Sequence, residues 1–478
     1  MAIKTRLADI IWNYVGTIVS MASGFILLPL LMKFLSDAEL GLWYVYIAIA
    51  NLAMLFEFGF NPTFARNIVY VVSGARRLSA SGFDHESVKE GIDWHLLNVV
   101  IRASKLIYAC IAGVVLILLA SFGTIYVQYI TRDLDTKEFW ASWILFCISI
   151  VLNLYFLYSI TVLRGYGDIE GENKAKTFAK IIQLLVSAIL LCTGFGLLGA
   201  SIGYFANSIL IRFLAIIRMR KHIEIENGRK QDSTQITTAE IRGVIGTIGH
   251  LAWRDGVVRL AIYASTQATS IMSGLYLGLA ETGTYSVLLQ LINAAYNFAS
   301  AYPSSFFPSI QASQAEGNMN KQRKLISTGI TAYWGLFLLG DIGICLVILP
   351  LLPFLKPGTV VDYPLFLALS FYLSLLGQHS LFCNYIISMN EIPYLLGYIV
   401  AAVLGVLFVG IFCGLLGWGS WGIVLGQALS QLLYNNWKWP LYLCNKIGIG
   451  YSTLWKEGIG IWLKKFADFS FEKFKQFK

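Results

Sequence analysis

The chain has 478 residues; 57% are Ala, Val, Ile, Leu, Met, Phe, Trp, Tyr or Cys, only 13% are charged, and the mean hydropathy is +0.66. Soluble domains carry about a quarter charged residues, so a chain with half that fraction cannot cover a body of this size with polar surface, and an ordinary soluble globule is excluded. The net charge of +9 would suit a nucleic-acid partner if it were gathered on one face. Instead it is spread over the loops between apolar runs, where basic residues set membrane topology.

The chain opens on MAIKTRLADIIWNYVG, basic and then apolar, with no small-residue cleavage site leading into a polar domain. The first span is therefore expected to be retained. Apolar runs of about 17 to 25 residues follow, the length that crosses a hydrocarbon core about 30 Å thick. They predict twelve spans, at 12–32, 40–63, 103–127, 139–163, 179–197, 199–217, 254–277, 283–306, 326–349, 363–388, 393–415 and 420–440. The last segment, from Tyr451, is too charged to span. Trp455, Trp462, Phe466, Phe469 and Phe474 alternate there with Lys456, Lys464, Lys465, Lys473 and Lys475, which reads as an amphipathic helix on the inner leaflet or as a frayed tail.

With the N-terminus in the cytoplasm, 31 of the 36 Lys and Arg fall inside. Four fall outside (Lys33, Arg132, Lys137, Lys356) and one, Arg259, lies within a span. This is the bias the positive-inside rule requires, and an even number of spans returns both termini to the cytoplasm. The seven cysteines form no CxxC pair and mostly sit in apolar spans, so packing is their expected role.

Six spans plus six suggest a duplication. At an offset of 242, LSDAELGLWYV (from Leu35) aligns with LGLAETGTYSV (from Leu277), pairing Ala38, Glu39 and Gly41 with Ala280, Glu281 and Gly283. The same offset pairs Asn51 with Asn293 and Asn13 with Asp255. Because each half holds an even number of spans, the repeats are parallel, with a substrate path expected between them. The expected architecture is all-α and membrane-embedded, with about twelve helices in two pseudosymmetric six-helix lobes around a central cavity. The domain boundaries are 1–220 for the first lobe, 221–250 for a cytoplasmic linker, 251–445 for the second lobe and 446–478 for the tail.

Soluble-enzyme motifs fail on context. Gly194, Gly196 and Gly199 match the dinucleotide fingerprint, but they join two apolar helices where a strand and a later acidic residue are required. Asp133-Leu134-Asp135 is a DxD in a short outer loop. The five histidines show no HExxH spacing and no Walker loop is present. No cofactor, metal or catalytic residue is expected.

Ionisable groups within spans carry more information, because a charge at bilayer depth costs about 2.5 kcal/mol or more unless it lines water or meets a partner. Arg254, Asp255 and Arg259 form WRDGVVR at the inner end of span 7, Glu57 and Arg66 flank the inner end of span 2, and Asp341 lies midway along span 9. Arg254 and Asp255 either snorkel to the interface or enter the path. Arg259 either pairs with Glu57 or Asp255 or binds an anion. Asp341 is either a protonated structural group or a coupling group. Gln290, Asn293 and Asn297 share one face of span 8, and either join neighbouring helices or line a wet cavity.

The stretch WNYVGTIVSMASGFILLPLLMKFLSDAELGLWYVYIAIANLAMLFEFGFNPTFAR resembles the first two spans of polysaccharide-transport flippases of the multidrug, oligosaccharidyl-lipid and polysaccharide exporter superfamily. The pattern is a small-residue-rich first span ending in Pro29, Gly41 before an aromatic, the acidic-Phe-Gly triplet Glu57-Phe58-Gly59, and Arg66. LRGYGDIEGENKAK after span 4 and AETGTYSV before span 8 also resemble the family. Many relatives have Asp where Glu57 stands here.

The resemblance implies a flippase, not an enzyme. Such a protein moves undecaprenyl-diphosphate-linked oligosaccharide repeat units across the bacterial inner membrane by alternating access, driven by an ion gradient, for O-antigen, lipopolysaccharide or capsule. The implied partners are the lipid-linked oligosaccharide, membrane lipid, H+ or Na+, and glycan polymerase machinery. Arg66, Arg254, Arg259, Gln290, Asn293 and Asn297 become candidate substrate-path residues, and Glu57, Asp255 and Asp341 candidates for coupling or ion pairing. Alternatives are a drug/cation antiporter of the same superfamily, which would need an acid-lined cavity, and a membrane glycan polymerase or ligase, which would carry a large outer loop.

Overall fold

A water-free hydrocarbon core leaves helix as the only way for these apolar runs to satisfy their own backbone, and helix is what they form. The computed structural model describes residues 7–78, 90–132, 137–249, 260, 263, 268–304, 306, 310, 313, 318–356, 361–387 and 393–476. In chain order these give α1 (Leu7–Phe34), α2 (Asp37–Leu55), α3 (Phe60–Val72), α4 (Trp94–Ile130), α5 (Lys137–Gly165), α6 (Ile169–Cys192), α7 (Gly196–Met219), α8 (Ile223–Gln231) and α9 (238–249). They continue as α10 (Ala268–Tyr276), α11 (Leu279–Ser304), α12 (Met319–Leu355), α13 (Tyr363–Ile387), α14 (Leu395–Leu415), α15 (Gly419–Leu432), α16 (Asn435–Lys446) and α17 (Tyr451–Gln476). Eight of the described helices are long and apolar enough to cross a membrane. The protein is an all-helical, multi-pass membrane protein.

The chain divides into two units, Met1–Tyr263 with Gly278–Gly283, and Ala264–Leu277 with Thr284–Lys478. In the first, α6 and α7 pack as a hairpin, α7 lies on α5, α1 on α6, and α4 and α3 on α5. Its core gathers Phe64, Ile68, Leu97, Val100, Tyr108 and Val162. Ile225, Val244 and Ile248 join the same core, so residues 221–250 carry two helices docked on the first unit. Asn98 fastens the end of α8 by donating to the Arg229 carbonyl (3.0 Å) and to Asp232 (3.1 Å). In the second unit α14 packs on α15, α13 on α16, and α12 on α17. The Trp462 indole of α17 donates to the Thr328 carbonyl (3.2 Å). Gly458 lets the two backbones meet, since a Cβ there would lie 2.4 Å from the Ser327 carbonyl oxygen. The expected leaflet helix thus begins as a packed element.

The duplication recurs in backbone detail that the residues do not show. Trp94–Ile130 and Met319–Leu355 are both 37 residues long and start 225 positions apart. Each contains a π turn 25 residues from its start, at Leu119–Gly123 and at Ile344–Ile348. The offset falls from 242 to 225 because the 73–93 connection is longer than its counterpart. In the first copy Thr124 donates to the Leu119 carbonyl (2.9 Å), and the Trp143 indole donates to Thr124 (3.1 Å), which pins the π turn to α5.

The glycines of the repeated Ala-Glu-x-Gly motif meet each other within the first unit. A Cβ on Gly41 would lie 1.8 Å from the Leu279 carbonyl oxygen and 3.1 Å from the Gly283 nitrogen. A Cβ on Gly283 would lie 3.1 Å from the Gly41 nitrogen. Backbone cannot retreat as a side chain can. Gly41→Ala is therefore expected to lower the thermal unfolding midpoint, with a loss of about 1–3 kcal/mol or more from overpacking, and Gly283→Ala to cost less; scanning fluorimetry of the purified variants measures both.

Candidate functional site

The site is built where α2 stops short. After Leu55 the chain leaves the helix, Phe58 takes φ 46° and Gly59 φ 75°, and α3 starts at Phe60. A positive φ on a bulky non-glycine residue is uncommon and strained. The break turns Glu57 back over the start of α3, where its Oε1 accepts the Asn61 N–H at 2.5 Å. A carboxylate suits that end, because unsatisfied N–H groups give it partial positive charge. Asn61 is held in turn through its side-chain oxygen, which accepts from Thr161 (3.1 Å).

Glu57 and Asn61 open onto a cavity of about 700 Å³ inside the first unit. Its charged lining is Glu57, Arg164, Lys176 and Lys180; its amides are Asn61, Asn153, Asn173 and Asn207; Phe156 and Tyr204 add aromatic surface. One face of α6 supplies much of it, since Asn173, Lys176, Thr177 and Lys180 follow helical spacing. Gly16 of α1 keeps that face open, because a Cβ would come within 3.3 Å of the Asn173 and Thr177 side-chain oxygens.

Behind the wall sits Glu172, 1% exposed. Arg164 donates to both its oxygens (2.8 and 2.5 Å), and Lys176 donates to Oε1 (2.5 Å). Two cations thus share one buried carboxylate, which spares it the several kcal/mol that a buried unpaired charge costs. Lys180 donates to Gln183 (3.2 Å), a neutral partner, and pairs with no carboxylate among the described residues. The lining carries more positive than negative charge. Thr177 faces the cavity with a buried hydroxyl that has no partner among the described residues.

Below the cavity, Asp168 caps α6 by accepting the Gly171 N–H (2.8 Å), and it pairs with Arg218 (2.7 Å) and His222 (3.0 Å). Burial opposes its ionisation, but His222, Arg218 and the Gly171 N–H outweigh that and hold the carboxyl well below the usual carboxylate range. This cluster ties the start of α6, which bears the cavity's lysines, to the end of α7.

The expected site residues are distributed unevenly. Glu57 lines the cavity. Arg66 is exposed on α3 and does not line it. Gln290 and Asn293 are half-buried and Asn297 is exposed on α11 of the second unit, and Asp341 is half-buried on α12. Arg254, Asp255 and Arg259 lie outside the described residues, as do Asp133 and Asp135. Sequence reasoning passed over Arg164, Lys176, Lys180 and the four asparagines. The i, i+3, i+4, i+7 spacing of Asn173, Lys176, Thr177 and Lys180, at the polar start of a helix whose later half is apolar, was the available signal.

No protein-family model matches the sequence, and comparison with curated proteins gives no match. Solved structures do match in fold. An inward-facing multidrug resistance MATE family transporter of the MOP superfamily aligns with TM-score 0.62 at 13% identity, covering 92% of this chain and 96% of that one. The lipid II flippase MurJ, in an inward closed conformation, aligns with TM-score 0.64 at 14% identity, covering 97% and 92%. A Vibrio cholerae MATE transporter, VcmN, gives 0.58 at 14% identity over 92% and 96%. At these identities the likeness is one of fold, and it extends over nearly the whole chain.

The Asp168 cluster generates a pH prediction. A carboxyl held low in the native state contributes its full stability above the unfolded value of about 3.9 and loses it as pH falls toward the native value. Asp168→Asn should therefore melt below wild type at neutral pH. The gap should hold down to about pH 5 and narrow below about pH 4, as read from unfolding midpoints across a pH series.

Proposed function

We propose that the protein is a flippase that moves a lipid-linked oligosaccharide repeat unit, joined to its undecaprenyl carrier through a diphosphate, across the bacterial inner membrane by alternating access. The single observation that carries this reading is the lining of the first unit's cavity, where three basic groups stand beside four amides and two aromatic rings with one acidic side chain. A diphosphate is matched by Lys and Arg through charge-assisted hydrogen bonds, and sugar hydroxyls by amides and aromatic faces. Such a headgroup cannot enter hydrocarbon alone, because each unsatisfied polar group costs several kcal/mol. A polar cavity takes the place of its water while the lipid tail stays in the bilayer. Inside-facing basic residues support placing both termini in the cytoplasm. Arg254, Arg259 and the α11 amides Gln290, Asn293 and Asn297 are further candidates for the path, and an ion gradient for the driving force.

A drug/cation antiporter is the competing reading, favoured by Glu57 at the cavity wall and by the multidrug transporters among the fold neighbours. Cationic cargo asks for acidic lining, and the balance here is basic.

Deleting the gene should make lipid-linked repeat units accumulate on the inner leaflet and abolish the surface glycan. Complementation with Lys180→Ala is the informative variant, because Lys180 holds Gln183 and no buried carboxylate. Losing one hydrogen bond to a charged group costs about 1.5–3 kcal/mol, so export should fall roughly ten- to a hundredfold with the protein's melting point little changed. Arg164→Ala should lose export and stability together, since it also uncovers Glu172. Normal glycan and no accumulated intermediate in the deletion strain would reject the flippase reading.

A further inference from the structure

Asp341 belongs to none of the cavity's machinery, yet it is placed where an ionised group is hardest to keep. It stands on α12, 17 residues after Lys324 and 15 before Lys356. At 1.5 Å per residue it is about 20–25 Å from the charged end on either side, near the middle of any bilayer that α12 crosses. The helix is among the most lipid-facing in the protein, with only 22% of its apolar window buried. The position 225 residues earlier, its equivalent in the first repeat, is Leu116, which is exposed as a lipid-facing residue should be.

Among the described residues the surroundings supply no cation. Ser370 of α13 donates its hydroxyl to Asp341 Oδ2, and Oδ1 is buried without a hydrogen-bond partner among the described residues. The other titratable groups that face it are Tyr333 and Cys345 on its own helix, with Tyr296 of α11 beside Tyr333. No Lys, Arg or His among the described residues pairs with it.

A polar ladder leads to it along the α12–α13 seam. Tyr333 donates to the Ser374 carbonyl (3.0 Å), and the Trp334 indole donates to Gln378 (2.7 Å). Ser370, Ser374 and Gln378 are spaced four residues apart and present one stripe of α13 to α12. Where lipid-facing helices need only apolar contact, this seam carries hydroxyls, an indole N–H and an amide from Asp341 toward the N-terminal half of α12.

We propose that Asp341 is a reversible proton-binding site within the membrane, reached along this ladder, at which a proton gradient acts on the second unit. Oδ1 is the oxygen that takes the proton and Oδ2 keeps the Ser370 hydroxyl, so the site passes between carboxylate and carboxylic acid by gain or loss of one proton. The ligand is a proton and not a metal ion. Ca2+ and Mg2+ take about six or more oxygen ligands, whereas the side chains that meet there among the described residues offer one carboxylate and one hydroxyl. The proposal goes beyond the flippase reading and can be tested without any transport substrate.

Dicyclohexylcarbodiimide is the probe. It reacts with protonated carboxyls in apolar surroundings: the acid O–H adds across a C=N bond, the adduct rearranges to an N-acylurea, and the peptide gains the mass of the whole reagent. In the full-length protein in nanodiscs, mass spectrometry should find the adduct on Asp341. The labelled fraction should fall at least several-fold from about pH 5 to about pH 9 and be unaffected by added sodium. Ser370→Ala removes the donor that favours the carboxylate, so it should raise labelling at a given pH, and Asp341→Asn should abolish it. Failure of Asp341 to label anywhere in that range, labelling independent of pH, or protection by sodium would each overturn the assignment. None of these outcomes bears on the glycan-export test, so the two readings fail separately.

Discussion

The hydrocarbon core offers a polar atom no water, and the organisation of this protein follows from how it meets that constraint. Backbone groups are satisfied by continuous helix, and two interruptions in the first unit come with a local substitute. Where α2 ends and α3 begins, the N–H groups freed at the start of α3 face the Glu57 carboxylate, which takes the Asn61 N–H. Where the first π turn opens α4, Thr124 covers the Leu119 carbonyl and Trp143 covers Thr124. The devices differ, but in both a side chain does what solvent does elsewhere.

Charged side chains meet the same constraint in two ways. Glu172 is buried and doubly paired, and by holding Arg164 and Lys176 it fixes two cations on the wall of a cavity large enough for a polar headgroup. Among the described residues, Asp341 is placed without a cation, with one hydroxyl donor and one open oxygen. The first arrangement makes a standing positive surface suited to an anion. The second makes a group whose charge depends on whether a proton is present. The two kinds of site lie in different units of the chain.

Much of the fold was legible in the residues because membrane helices advertise themselves by length and apolarity, and loops by Lys and Arg. The duplication was half legible. Its motif, Ala-Glu-x-Gly, survives because Gly41 and Gly283 each need a missing Cβ where backbone meets backbone. Elsewhere lipid-facing positions accept almost any apolar residue, so α4 and α12 kept equal length and matching π turns without recognisable sequence. The 221–250 segment read as a linker because it is polar. Its few apolar residues, Ile225, Val244 and Ile248, are enough to dock it on the core.

By itself the sequence determined that this is a multi-pass helical membrane protein, because hydrophobic length is a one-dimensional property, whereas the break that divides the expected 40–63 span after Leu55 came only with the structure. It also marked which ionisable residues had to be explained, since the cost of a charge at bilayer depth applies whatever surrounds it. Only the tertiary structure decided what each of them does. Whether a carboxylate is paired or open depends on how the chain turns around it: Glu57 meets the Asn61 N–H across a helix break, Glu172 meets Arg164 across a loop, and Asp341 meets Ser370 of the next helix. The cavity of asparagines and lysines came into view only once α2, α5, α6 and α7 were packed together, because no single span carries enough of its lining to announce it.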